Sequence, residues 1–321
     1  MIAGMTFYQI CWYFLIYAFA GWCIEVIFHA ISVGKVINRG FLCGPVCPVY
    51  GFGILSVFAV VYSVLPEIFH YPVEKLLGGD DIVGILIVFV CGVLLATAVE
   101  LVAGWLLDVA FHARWWDYRK ERFNFRGYIC LRFSLIWGMA CLLVVRVIQP
   151  AMANSLLLRI PEKIGWPILG VLYVTFLADF VVTVMIVAGL NKELRELDEI
   201  RRRMSIVSDD LSEKLATGTM RAQTSLESQR VQATLAKYEA RDAVSRQKKK
   251  LQDKADQTKN LSRELQARTA ALKKKVLSGR FFGSRRILEA FPDMEHRVYH
   301  EVLLNLQREL HINNKERGGK D

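Results

Sequence analysis

The sequence predicts an all-α membrane protein, a five-span transmembrane helix bundle followed by a long basic helical or coiled-coil cytoplasmic tail. Three observations lead there. Of the 321 residues, 53% are hydrophobic, above the usual share for a globular chain. The charge is also divided sharply near Asn191. Residues 1–190 hold 12 Lys and Arg against 11 Asp and Glu, whereas residues 191–321 hold 29 against 20. Finally, all five long apolar runs lie before that divide, as no single soluble core would require. The expected domains are a transmembrane domain over 1–190, a cytoplasmic helical or coiled-coil segment over 191–278, and a short C-terminal helical motif over 279–321.

Five stretches can cross a hydrocarbon core of ~30 Å at ~1.5 Å per residue. They are residues 7–33, 49–65, 82–110, 128–149 and 166–190. Ala18-Phe19-Ala20 imitates a signal-cleavage site, but no Lys or Arg precedes Lys35, so the first stretch is expected to remain as an anchor. The second is short for a straight span, and the third is long enough to tilt or project.

Loop charges set the orientation. Loop 34–48 carries Lys35 and Arg39, and loop 111–127 carries Arg114, Arg119, Lys120, Arg122 and Arg126. Loop 66–81 instead sets only Lys75 against Glu67, Glu74, Asp80 and Asp81. Positive-inside bias therefore places the N-terminus outside, with the two basic loops and the tail in the cytoplasm of a multi-pass cell-membrane protein. An odd number of spans is the one arrangement that puts all three basic regions on one side. The cluster Arg114, Trp115, Trp116, Asp117 and Tyr118 then falls beside the inner end of the third span, where amphipathic rings favour the membrane interface.

Several polar residues sit where lipid makes them costly, by roughly 2.5–3.5 kcal/mol per charge at a span centre. Glu100, Gly104, Asp108 and His112 form a four-residue ladder on the third span, and Gly21, Glu25 and His29 form a similar series on the first. Steps of four keep such residues near one helix face. Gly104 leaves that face bare, for close packing or for a ligand. Glu25, His29, Glu100, Asp108, Arg39 and Arg132 are the candidates for a substrate or ion path. Internal pairing with Arg39, Arg114, Arg126 or Arg132 is the structural alternative.

The run "RGFLCGPVCPVYGFG" at residues 39–53 is dense in helix breakers. Gly40, Gly44, Pro45, Cys47, Pro48 and Gly51 predict a tight or re-entrant loop closing the inner end of the bundle. Irregular backbone at membrane depth has to be shielded by protein or line a cavity. Cys43 and Cys47 fall on the expected cytoplasmic side, where disulfides seldom persist, and two thiolates make an incomplete zinc site. No metal site and no cofactor are expected. The chain also lacks H-E-x-x-H, a nucleophile elbow, G-x-x-x-x-G-K-[ST] and G-x-G-x-x-G, so neither enzyme chemistry nor a P-loop ATPase is expected.

In the tail, Leu197, Ile200, Met204, Val207 and Leu211 make a coiled-coil seam of about two heptads, interrupted at Gly218. Val231, Leu235 and Tyr238, then Leu261, Leu265, Leu272 and Val276, continue it sparsely. A helical hairpin or self-association through the tail follows. The lysine triplets at 248–250 and 273–275, with Arg280, Arg285 and Arg286, suit anionic lipid headgroups. They lack interleaved aromatics, so no nucleic-acid partner is expected. Apolar residues between Phe281 and Leu310 predict a short helical pair broken at Pro292-Asp293, with Pro292 suited to a helix start.

The motifs Gly21-Trp22-x-x-Glu25, Asn38-Arg39-Gly40-Phe41 and Gly44-Pro45-x-Cys47-Pro48-x-Tyr50-Gly51-x-Gly53 occur in that order. After them come Glu100, Gly104-Trp105, Arg114-Trp115-Trp116-Asp117-Tyr118, Asn124, Gly127, Ile129-Cys130-Leu131-Arg132 and Trp137-Gly138. Over about residues 12–150 this set resembles the bacterial multi-pass family labelled type IV ABC-transporter permeases. Arg286 to Pro292 resembles the family's C-terminal end. The chain departs from the family pattern at Cys43, at Asp108 where Glu is usual, at Gln149 where His is usual, and in its longer tail. The resemblance implies a permease-like membrane subunit, which without a P-loop of its own would require a separate ATP-binding subunit or run on an ion gradient. A non-transport membrane scaffold or sensor acting through the tail is the other expectation.

Overall fold

A computed structural model describes residues 5–34, 36–78, 81–153, 160–228, 236–278 and 283–318. Lys35, Gly79, Asp80, Arg159, Val231, Leu235, Arg280 and Phe281 lie outside the described residues, as do the side chains of Leu211, Tyr238 and Lys248. The chain forms two compact units, one of Met1–Leu190 with Gly279–Asp321 and one of Asn191–Ser278.

Five helices in the first part of the chain are long and apolar enough to cross a membrane: Phe7–Ile31, Pro48–Ile68, Ile82–Phe111, Leu131–Met152 and Glu162–Ser208. α1 (Phe7–Val33) opens on a capping box, in which the Thr6 hydroxyl accepts from Gln9 N and the Gln9 side chain accepts from Thr6 N. It closes on Gly34, whose φ of 73° ends the helix in the left-handed region. α2 (Pro48–Ala59) begins with proline at its first position, where a missing N–H costs nothing.

The second span is longer than the sequence predicts. After α2 the helix widens into a π turn (Val60–Val64) and continues as α3 (Leu65–Phe69) across Pro66. The fourth span repeats the device. α6 (Leu131–Leu143) widens at Val144–Ile148 and resumes as α7 (Gln149–Ala153) across Pro150. A proline ring clashes with the carbonyl four residues before it, and a widened turn relieves that clash without ending the helix.

The short α4 (Val73–Leu77) leads to α5 (Ile82–Phe111), whose 30 residues reach roughly 45 Å. Glycines set the close approaches between the spanning helices. A Cβ on Gly21 would lie 2.2 Å from the Tyr50 ring, one on Gly51 2.7 Å from Phe14, and one on Gly92 2.7 Å from Cys141. In lipid, such close packing at glycines replaces the hydrophobic drive that helices lose. Around them, Tyr13, Tyr17, Val57, Phe58, Val61, Leu76, Val88 and Val145 make a buried apolar core.

Between α5 and α6 lie three two-residue strands: β1 (Ala113–Arg114), β2 (Asn124–Phe125) and β3 (Ile129–Cys130). β2 and β3 form an antiparallel hairpin. α8 (Glu162–Ser228) carries the fifth span and runs on through Gly218 without a break. In the second unit, α8 residues Leu194, Leu197 and Ile200 and α9 (Ala236–Val276) residues Leu265 and Val276 are buried. Glu193 pairs with Lys275 at 3.0 Å, which makes this unit an antiparallel hairpin at that end.

The C-terminal motif is α10 (Ser284–Ala290), β4 (Glu295–His296) and α11 (His300–Gly318). The expected helical pair is present, but Pro292 does not start its second helix. Residues 292–299 turn and pair instead, because β4 forms an antiparallel ladder with β1 in the register Ala113 to His296.

Candidate functional site

The glycine- and proline-rich loop does not simply connect two spans. Trp22 Nε1 donates to Asn38 Oδ1 at 2.7 Å, and Cys47 N donates to Ala18 O at 2.9 Å. Both α1 partners lie well before its end at Val33, roughly 16–22 Å back along the axis. Loop 36–47 therefore folds back along the second half of α1. Asn38 organises it, because its side chain also accepts from Gly40 N at 3.0 Å and donates to Cys43 O at 2.7 Å.

The far side of this loop is held by Asp179 of α8. Its two oxygens accept from Cys43 N at 3.0 Å and Gly44 N at 2.8 Å. A Cβ on Gly44 would meet Asp179 Oδ2 at 3.0 Å, so the residue leaves the carboxylate room to reach the backbone. All seven cysteines are free thiols. Burial, with the Glu25 carboxylate adding to it, pushes the Cys47 thiol up to about 12, far from the range of a reactive thiolate. What matters in this stretch is its backbone.

Two tyrosines hold the intramembrane glutamates. Tyr50 donates to Glu25 Oε1 at 2.6 Å, and Tyr118 donates to Glu100 Oε1 at 3.1 Å. Glu100 is largely buried, and the Trp137 indole lies within hydrogen-bonding reach of its carboxylate. Trp137 also meets the Tyr50 ring edge-on at 5.4 Å. Burial and the Glu100 carboxylate push the Tyr118 hydroxyl pKa up, so it stays a donor. Each glutamate thus has a neutral donor rather than a cation as its partner. A buried carboxylate with no cation beside it is the costly case, and it favours a proton or a cationic group nearby.

Asp108 has a different role, although it shares the ladder. Fully buried, it accepts from Tyr128 Oη and pairs with Arg297 and, at 3.4 Å, with Arg114. Between it and Glu100 the bare face of Gly104 is filled by the Trp116 and Tyr128 rings, which a Cβ there would meet at 3.1 and 3.2 Å. Close packing, not a ligand, occupies that position. Loop 112–130 folds back along α5 much as loop 36–47 does along α1. Its start is His112, which ends α5 with a φ of 54°.

The Arg114 to Tyr118 cluster faces inward. Trp115 is only 4% exposed and packs edge-on against Phe41, Phe111 and Phe291. Trp116 Nε1 donates to Tyr128 O at 2.8 Å, and Asp117 pairs with Arg119 at 2.7 Å. Of the other path candidates, His29 is buried with Nε2 unbonded among the described residues, within electrostatic reach of Glu25 and Arg39. Arg132 stands apart, largely exposed and 3.5 Å from Glu121.

Residues near the C-terminus close this end of the bundle. Arg286 is buried and donates to Gly40 O at 2.9 Å and Phe41 O at 2.8 Å. This overturns its expected role as a headgroup contact, because a side chain 4% exposed cannot reach lipid. Arg297 N donates to His112 O at 2.9 Å, and its guanidinium pairs with Asp108. Arg119 pairs with Glu295. His296 Nδ1 accepts from Val298 N and Tyr299 N, and burial, with His112 adding to it, pushes its pKa down to about 4.

Sequence reasoning placed Asp179 among the costly carboxylates in or near spans and Asn38 in a motif, but gave neither a role at the site, and it missed Arg297. Asp179 left the clearest signal, as the one carboxylate inside the fifth apolar run. A family model described as "Putative ABC-transporter type IV" matches residues 12–184, just over half of the chain. No curated protein and no solved structure matches.

Proposed function

We propose, because the chain belongs to the type IV ABC-transporter family, that it is the permease-like membrane subunit of a transporter whose ATPase is a separate protein. The intramembrane site is the cluster of Glu25, Tyr50, Glu100, Tyr118 and Trp137. One observation carries this reading: Glu100 is largely buried with only neutral groups, Tyr118 and Trp137, against its carboxylate, within electrostatic reach of Glu25 on another span. Asp108 differs in having cations as partners, since its Oδ2 takes both Arg114 and Arg297. The site suits a proton or a cationic substrate group that binds and leaves.

The N-terminus is outside and the basic loops and tail are cytoplasmic in this reading. Supporting it, loop 36–47, loop 112–130 and the C-terminal motif touch one another at one end of the bundle. Three basic regions in mutual contact belong on one side of a membrane.

Glu100→Gln tests the site directly. The isosteric amide is expected to insert and accumulate normally but to lose transport-linked activity. Failure to accumulate would make the carboxylate structural. A second reading, a membrane sensor or scaffold acting through the tail, rests on the buried grip of Arg286 and the β1 to β4 ladder. It expects activity to follow that grip and to be indifferent to Glu100.

A further inference from the structure

We propose that the β2–β3 hairpin and the adjacent faces of α5 and α6 form a binding site for one anionic phospholipid, independent of the Glu25 and Glu100 cluster. A groove of about 320 Å³ runs between Leu94 and Thr97 of α5, Leu131 and Ser134 of α6, and Phe123 and Phe125 of the hairpin. That volume lies at the lower end for ligand sites, roughly 300–1,000 Å³. It admits a stretch of one acyl chain. Leu94 and Phe123 are 64% and 81% exposed, so the groove opens sideways, onto the surface that a spanning bundle turns to lipid.

Charge complementarity selects the headgroup. The Arg126 guanidinium sits over the Phe125 ring at 5.8 Å, on the groove's own wall. Arg126 makes no ion pair among the described residues, and the exposed Arg122 precedes Phe123 directly. Arg126 is also held in place, because its φ of 51° is left-handed and its carbonyl accepts from Arg114 Nη1 at 3.1 Å. A non-glycine residue persists in that region only where its surroundings fix the backbone. The result is an apolar slot with a cation at its rim, carried on a fixed stretch of backbone, and a second cation nearby. A phospholipid with a net negative headgroup fits both parts, whereas a zwitterionic headgroup brings its own cation close to the phosphate that the guanidinium would pair with.

The test is native mass spectrometry of the full chain, purified from nanodiscs of either phosphatidylglycerol or phosphatidylcholine. The expected result is one retained phosphatidylglycerol per chain, with phosphatidylcholine retained at least several-fold less. Arg126→Gln should cut phosphatidylglycerol retention several-fold. Leu94→Trp, which fills the groove from its exposed side, should abolish it, and it leaves every arginine in place should the first variant fold poorly. Equal retention of the two lipids would overturn the proposal, as would retention unchanged in both variants. A stable dimer that buries Phe123 and excludes lipid would also overturn it.

Discussion

Removing Arg286 should release the C-terminal motif while leaving the spans intact. Arg286→Ala deletes two charge-assisted hydrogen bonds, to Gly40 O and Phe41 O, each contributing roughly 1.5–3 kcal/mol. It also strands two carbonyl acceptors. Against that, the variant recovers the cost of burying a guanidinium, the same burial that pulls the Arg286 pKa down. The net loss is about 2–4 kcal/mol, which raises the undocked population roughly 30- to 1,000-fold, since about 1.4 kcal/mol is tenfold. Hydrogen–deuterium exchange in nanodiscs reads the effect. Exchange should quicken in residues 38–44 and 284–298 and stay unchanged in α5 and α6. Arg286→Lys, with its charge but without the planar fork, should fall in between. Unchanged exchange over 38–44 in the alanine variant would refute the claim that this arginine closes the loop.

The docking of the same motif should weaken in acid. The His296 pKa is lowered from 6.5 to about 4 when buried, so the released state binds the extra proton. The stabilisation is whole above about pH 6.5 and is lost progressively as the pH falls toward 4, by roughly 3 kcal/mol at most. Exchange over 284–298 compared at pH 7.5 and 5 checks the sign. Asp179→Ala should free the Cys43 and Gly44 amides, at roughly 1.5–3 kcal/mol per bond. Maleimide labelling of Cys43 should then speed up, and an unchanged rate would place the hold on the loop elsewhere. Gly21→Leu should clash with Tyr50 and lower the melting temperature, since overpacking costs about 1–3 kcal/mol. Gly53→Ala, which meets nothing within 4 Å, should leave it unchanged.

How far the sequence reveals this molecule depends on how local each signal is. The spans are legible because twenty apolar residues identify themselves, although the continuation past Pro66 and Pro150 was hidden by the usual reading of proline as a terminator. Glu25 and Glu100 were legible as anomalies, but their tyrosine partners were not, because Tyr118 reaches Glu100 only after loop 112–130 folds back. The ladder of Glu100 and Asp108 looked like one site since periodicity ignores what fills Gly104. Two aromatic rings there divide it. Arg286 and Arg297 were the least legible. Their partners precede them by 246 and 189 residues, and a buried arginine is written no differently from a solvated one.

The measurement that tests the central claim most directly is ATP hydrolysis by the complex isolated from native membranes through a tag on this chain. The account predicts a co-purifying ATP-binding protein whose hydrolysis rate changes when Glu100→Gln is introduced, with the assembly intact. A chain that purifies without any ATP-binding partner, or a complex whose hydrolysis is indifferent to Glu100, would contradict it.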